Sequence, residues 1–412
     1  MAVFLKPGES IQQAIDLSSP GTEIVLAAGT WNENVHIDKP LTLRGADGGK
    51  STIRGCDAEH SVIAVRGAKD VTIASLTVTG ARRREGEAPL RAGILADGDA
   101  EVTLTHNEIR DNEPYGILLN ECAQATVTQC DLPDDFISMG MCMTARALVT
   151  DCTLSSRYKT VAISGSARIE ARDSKFKVPV GGAFEVRDQA RLALARCDVV
   201  GFFTLYDSSH SVMADTRFRR CSGAGNMVTD NASAELRNCE LSDGVAVYRG
   251  ARLTLQDGIV NARRGEGIIV FHDGHLDISG TAISAAGCAI GALGGNVTLT
   301  GCSVARSAIG LFCTGNTRVC ILHSKFIACK DCAISARGQP FAGRVRGFRN
   351  TIPGPGEAGE NAKRFDCDGD LGFLTTDAGG RWPGPFRRSG DRGGAGRPLP
   401  DAVTLDGGSV GS

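Results

Sequence analysis

Residues 102–154 read VTLTHNEIRDNEPYGILLNECAQATVTQCDLPDDFISMGMCMTARALVTDCTL, and one phrase returns in them three times, as VTLTHNEI, ATVTQCDL and ALVTDCTL. Each phrase alternates apolar and polar residues, then places a small or polar residue before one more apolar position. Period-two alternation belongs to strands. Outward from this stretch the phrase recurs as IEARDSKF, LALARCDV, AELRNCEL, LDISGTAI, VTLTGCSV and VCILHSKF. Its small position falls at Leu76, Asn107, Cys130, Cys152, Ser174, Cys197, Thr216, Cys239, Gly258, Thr281, Cys302 and Ser324. After a first interval of 31, the spacing stays between 19 and 23 residues.

A period near 22 with no helical segment inside it is too short for a βαβ unit or a four-stranded propeller blade. It fits a parallel β-helix, whose coils stack about 4.8 Å apart and bring equivalent residues into ladders. The expected fold is therefore all-β: a single-stranded right-handed parallel β-helix of about 12 coils, with an N-terminal helical cap and an irregular C-terminal tail. Cys, Ser, Thr and Asn at the small position would form an internal ladder in a narrow turn.

Composition agrees. Glycine supplies 52 of 412 residues, well above the usual ~7%, and aromatic residues only 5%, which argues against a large helical or aromatic core. The 45 basic and 47 acidic residues nearly cancel, so no overall field draws the chain to nucleic acid or to an anionic membrane. No long apolar run indicates a membrane span, and Lys6, Pro7 and Glu9 interrupt the N-terminus before an export signal can form. Fifteen cysteines in a long chain without such a signal are expected to be reduced thiols, which points to the cytoplasm.

Four regions follow: 1–55, cap and opening coils; 56–338, the repeats; 339–380, a C-terminal cap or loop region; and 381–412, a tail of disordered composition. In the first, Ser10 and Gln13 have capping-box spacing ahead of IQQAIDL, a short helix placed to cover the end of the stack. The run IQQAID, PGTEIVLAAGTW and KPLTLRG resembles the opening of the right-handed parallel β-helix superfamily. That superfamily includes pectin lyase-like proteins and the carbohydrate-binding proteins and sugar hydrolases of the CASH type. The resemblance implies the fold over residues 1–350 and leaves the reaction open. GTWNENV also resembles a stretch of pectin methylesterases, and DDFIS (134–138) is faintly similar to their DFIFG site, but their glutamine-bearing and arginine-tryptophan motifs have no counterpart here. YDSSH (206–210) is loosely similar to the YDPHD site of alginate epimerases and lacks its proline and second aspartate.

Aligning the coils on the ladder exposes a second column nine residues earlier. It reads Glu121, Met143, Gly165, Asp188, Asp207, Asp230, Arg249, His272 and Leu293, so five consecutive coils carry an ionisable group. The preceding residues, Arg187, Tyr206, Thr229, Tyr248 and Phe271, are expected to face outward. Carboxylates one or two coils apart match the separations used by retaining and inverting glycosidases, and tyrosines beside them offer stacking surfaces for sugars. The candidate catalytic residues are Asp188, Asp207, Asp230, Arg249 and His272. The candidate substrate-binding residues are Arg187, Tyr206, Tyr248, Phe271 and Glu121. Turn chemistry accounts for the aspartates without a ligand, while Arg249 and His272 are less typical of turns. A one-residue slip in the two 19-residue coils would turn the columns over.

Other groupings carry less. Cys313, Cys320, Cys329 and Cys332 offer thiolates for zinc, and Asp366, Asp368, Asp370 and Asp377 offer oxygens at partial EF-hand spacing, so no cofactor is assigned and Ca²⁺ stays open. Arg82 to Arg84 form a short basic loop. Three functions compete. The first is a hydrolase, lyase or epimerase acting on an extended acidic polysaccharide. The second is a non-catalytic intracellular scaffold for an extended protein segment, similar to the β-helix modules of F-box proteins, and the third is a structural particle component. Oligomerisation is open, and neither nucleic acid nor membrane is an expected partner.

Overall fold

The computed structural model describes residues 2–82, 91–219, 225–336, 344–352 and 363–367. The tail at 381–412, Arg83, Arg84 and the acidic group Asp368, Asp370 and Asp377 lie outside the described residues. The chain winds as a parallel β-solenoid built from two kinds of sheet. The first has 16 strands, beginning with Ala2–Leu5, Thr22–Leu26 and Leu41–Gly45 and ending with Arg344–Phe348. The second collects the other 25 strands among the described residues, short in most coils and up to 12 residues long in Lys175–Val186. The coil count exceeds the expected 12 because the ladder starts at Leu76, whereas the opening strands already stack in the first sheet. Strand pairing also continues beyond residue 338, where Arg344–Phe348 pairs with Thr317–Leu322.

Register within the first sheet is unbroken. Leu104, Val127, Val149, Ala171, Leu194 and Met213 are successive partners, and all of them are buried. Wider coils are filled by ring pairs, Phe176 on Phe184 at 4.8 Å and Phe203 on Phe218 at 5.2 Å between centroids. The N-terminal end is closed by the helix Ile11–Leu17, which buries Ile11 and Ile15. Ser10 caps it by accepting from Gln13 N at 3.1 Å. The rest of the helix start is satisfied from outside: Glu33 accepts from Ser10 Oγ (2.7 Å), Ile11 N (2.9 Å) and Gln12 N (3.1 Å).

The ladder exists for a backbone reason. The residue before each rung is left-handed, as at His106 (φ 54°), Gln129 (φ 52°) and Asp151 (φ 53°). The chain turns so sharply there that the next N–H leaves the sheet pairing. The rung side chain of the following coil receives it: Leu76 N donates to Asn107 Oδ1 (3.1 Å), Cys130 N to Cys152 Sγ (3.4 Å), Cys152 N to Ser174 Oγ (3.1 Å) and Cys302 N to Ser324 Oγ (3.1 Å). The same hydroxyl or thiol donates to the carbonyl two residues earlier, as Ser174 does to Arg172 O at 2.7 Å. Only a small side chain that both accepts and donates does this. Burial pushes the Cys239 thiol up to about 11, so it keeps its proton and donates to Arg237 O. Thirteen cysteines between Cys56 and Cys332 are free thiols, and those in the ladder are buried. Ser174→Ala should therefore strand the Cys152 N–H and lower stability by about 1–3 kcal/mol, read as a drop in denaturant midpoint.

Candidate functional site

Strands of the second sheet alternate inward and outward residues and end at a left-handed residue. In Lys175–Val186 the sequence runs Phe184 in, Glu185 out, Val186 in, then Arg187 out and Asp188 at φ 58°. Register carries Val186 to Leu205, Val228, Val247 and Val270 through both 19-residue coils without a slip. The outward column expected at Arg187, Tyr206, Thr229, Tyr248 and Phe271 is thus assembled, with Thr229 buried and the other four at least partly exposed.

The ionisable column occupies the turn itself. Glu121, Asp188, Asp207, Asp230, Arg249 and His272 all have φ between 49° and 59°. Two of the carboxylates are spent on the preceding turn's backbone: Asp188 Oδ2 accepts from Gly165 N (2.7 Å) and Asp207 Oδ2 from Asp188 N (3.0 Å). Arg249 Nη1 lies 3.6 Å from Asp230 Oδ1. Asp207→Gly should therefore change stability by less than about 1 kcal/mol, and Asp207→Ala should cost about 1 kcal/mol because alanine resists the left-handed turn. Denaturation curves of both variants check this, and lost turnover in Asp207→Gly at unchanged stability would give the carboxylate a role beyond the turn. The YDSSH residues diverge: Tyr206 faces outward from the second sheet, while His210 starts a first-sheet strand and pairs with Ser233 Oγ at 2.8 Å.

A denser cluster lies beside this column. In four successive coils the strands of the second sheet are long, Asp131–Met141, Thr153–Ile163, Lys175–Val186 and Asp198–Leu205. Register shifts within them, between Ser155 and Val161 and between Lys177 and Gly182, re-aim the side chains near their centres. Lys159 Nζ and Arg187 Nε both bond Glu185, the latter at 2.8 Å. Arg187 lies over the Tyr206 ring, 4.4 Å from its centroid, and Lys159 lies 4.9 Å from that of Tyr158. Phe136 stacks on Tyr158 at 5.1 Å, and further along the solenoid Tyr248 stacks on Phe271 at 4.6 Å. The side chains of Lys159 and Glu185 are only 20% exposed, so their charges are poorly screened.

Burial opposes ionisation of Glu185, but the hydrogen bonds from Lys159 and Arg187 outweigh it and hold its carboxyl below the usual range. Burial, reinforced by the charge of Glu185, raises the Tyr206 hydroxyl. The cluster therefore presents two cations around a fixed carboxylate, with a protonated phenol next to them. Arg187 uses only Nε toward Glu185, and among the described residues neither of its Nη atoms has a hydrogen bond. Glu185 was legible as the same-face neighbour two residues before Arg187. Lys159 was not, because the bulge that aims it at Glu185 leaves no periodic trace.

DDFIS resolves differently. Asp134 is left-handed (φ 61°), and Asp135 is fully buried, its Oδ1 accepting from Asn112 N (2.9 Å) and Nδ2 (3.1 Å). Among the described residues Asp135 Oδ2 and the nearby Ser138 Oγ have no hydrogen-bond partner. Burial pushes the Asp135 carboxyl well above the ordinary range. Among the described residues no three His, Cys, Asp or Glu side chains are grouped to hold a metal ion. Among the described residues no helix is long and apolar enough to cross a membrane.

The described residues form a parallel β-solenoid. Residues 92–261 match the family model of the right handed beta helix region. Similar solved structures include an alginate lyase from Paenibacillus sp. (12% identity, 91% of this chain and 98% of that one, TM-score 0.31). They also include the family 28 exopolygalacturonase of Yersinia enterocolitica (12%, 84% and 77%, 0.40) and the A-module of a mannuronan C-5 epimerase from Azotobacter vinelandii (13%, 89% and 94%, 0.34). No curated protein matches the chain.

Proposed function

We propose that the protein binds and processes an extended, uronate-containing polysaccharide along the outer face of the second sheet. The observation that carries this reading is the half-buried Lys159, Glu185, Arg187 and Tyr206 cluster with aromatic rings on both sides. Cations at a uronate carboxylate acidify the neighbouring C–H, the step that elimination and epimerisation share. A neutral phenol beside them can supply a proton. Hydrolysis asks instead for a carboxyl pair with one member protonated, and Glu185 is held ionised. Lyase or epimerase chemistry is therefore favoured over hydrolysis, with Arg187 and Lys159 holding the carboxylate, the ionised Glu185 taking the C5 proton, and the Tyr206 phenol giving one to the leaving oxygen or back to C5.

The test is a panel of polyuronates and neutral glucans, read for binding, unsaturated ends, reducing ends and C5 inversion. Unsaturated or inverted product from a polyuronate supports the reading; product from neutral glucans alone, or none with no binding, overturns it. A second reading, an extended protein segment as ligand, draws on the apolar continuation of the face, where Met227 and Ile269 accompany the stacked Tyr248 and Phe271. Absence of any glycan binding would favour it.

A further inference from the structure

The outer face of the first sheet carries a second feature, unconnected with the cluster above. One register column runs along it near the start of each strand, where Arg146 pairs with Arg168, Arg168 with Arg191 and Arg191 with His210. The column goes on through Arg252 and His275 to Arg318. Arg146, Arg168, Arg191, Arg252 and Arg318 are exposed, and none has an ion pair among the described residues. Three consecutive like charges about 4.8 Å apart in adjoining strands destabilise the sheet that displays them.

The acids close by do not relieve this. Glu170, in the next column, is bound by Arg172, and Glu101 is held by Lys69 at 3.2 Å. The three arginines line an open trough of about 670 Å³, floored by short side chains such as Thr126 and Ala193. One unpaired guanidinium per coil, repeated along the solenoid axis, matches a ligand that repeats its own charge on a similar spacing. A chain of uronic acids has one carboxylate per pyranose ring, a repeat on the scale of one coil.

We propose that this arginine column is a docking track for a linear acidic polysaccharide, which lies along the solenoid with successive carboxylates on Arg146, Arg168 and Arg191. The track is separate from the cluster on the second sheet, and it rests on the proposed function only in taking its ligand to be an acidic glycan. It gives a polymer a second hold and leaves short oligomers unaffected. Each guanidinium contributes a charge-assisted, planar contact to a carboxylate.

The experiment uses the full chain and the variant Arg146→Gln, Arg168→Gln, Arg191→Gln, with circular dichroism as a fold check; removing like-charge repulsion from exposed positions favours folding. Retention on polygalacturonate and on alginate is measured by affinity electrophoresis against salt, and turnover on a short oligouronate in parallel. The expected result is at least tenfold weaker polymer binding and a salt slope shallower by roughly two to three, with oligomer turnover unchanged. Equal retention and an equal slope in the variant overturn the track. Polyphosphate or duplex DNA competing better than polyuronate at equal charge overturns the assignment to a polysaccharide. Retention of polymer by the wild type with no turnover of any substrate defeats the catalytic reading and leaves the track standing.

Discussion

Arg187→Ala should lower kcat/KM on a polyuronate by about 10²- to 10³-fold, the loss expected when one preorganised donor to developing charge is removed. The magnitude follows from position. Arg187 is partly buried on Tyr206, bonded through Nε to Glu185, and leaves two Nη groups free for a substrate carboxylate. Alanine removes the donor pair and uncovers the phenol, so the effect falls on kcat as well as KM. Arg187→Lys should recover only part of the activity, because an ammonium keeps the charge but loses the planar stack and the two-pronged contact. The stability cost of Arg187→Ala should stay near ~1 kcal/mol, since about half of the side chain already meets solvent and Lys159 still holds Glu185. Steady-state kinetics on the substrate found in the panel, with thermal melts alongside, separates the two effects. Turnover that survives Arg187→Ala at wild-type rate removes the cluster from the reaction.

Asp135→Asn should remove the loss of stability that the solenoid suffers as pH rises, and so change the shape of its pH dependence. Burial raises the Asp135 carboxyl in the folded chain above its unfolded value of about 3.9, so the native state keeps a proton that the unfolded chain releases. The stability of the wild type is therefore complete below the unfolded value and falls as pH rises toward the folded one, by about 1.4 kcal/mol per pH unit. Asparagine preserves the acceptor for Asn112 N and Nδ2, carries no charge and removes this slope. It also remains short enough for the space over Gly116, where even an added Cβ would overlap Asp135 Oδ2. Chemical denaturation of both proteins from about pH 4 to 8 measures it; parallel profiles would show that Asp135 does not titrate with folding.

The structure is legible in the residues to different degrees along the chain. Ladder, cap helix and outward columns could be read directly. Period-two alternation fixes which side of a strand is apolar, and a wrong register would bury Arg187 or expose Val186. The same logic fixed the rung positions, where the coordinates added the reason: a donor and acceptor that rescues the N–H of a left-handed turn. The ionisable column was legible as a column, yet Asp188 and Asp207 turn along the stack to meet backbone N–H groups, and that direction is set by dihedral angles which no spacing reports. Lys159 and the arginine track escaped for opposite reasons. Lys159 reaches Glu185 through a bulge that breaks the period, whereas Arg146, Arg168 and Arg191 obey the period and become a charged line only once 22- and 23-residue intervals close into coils.

The sequence by itself determined a parallel β-helix, its internal ladder, its capped beginning and the faces of its strands, because those depend on local alternation and on a repeat that stacks onto itself. The tertiary structure alone decided which charges meet. Glu185 with Lys159, Asp135 with Asn112 and against Gly116, and the arginines of adjoining coils are relations between residues about one coil apart in the sequence. Their free energies depend on burial and on partners in neighbouring coils, and these come into being only when the coils stack.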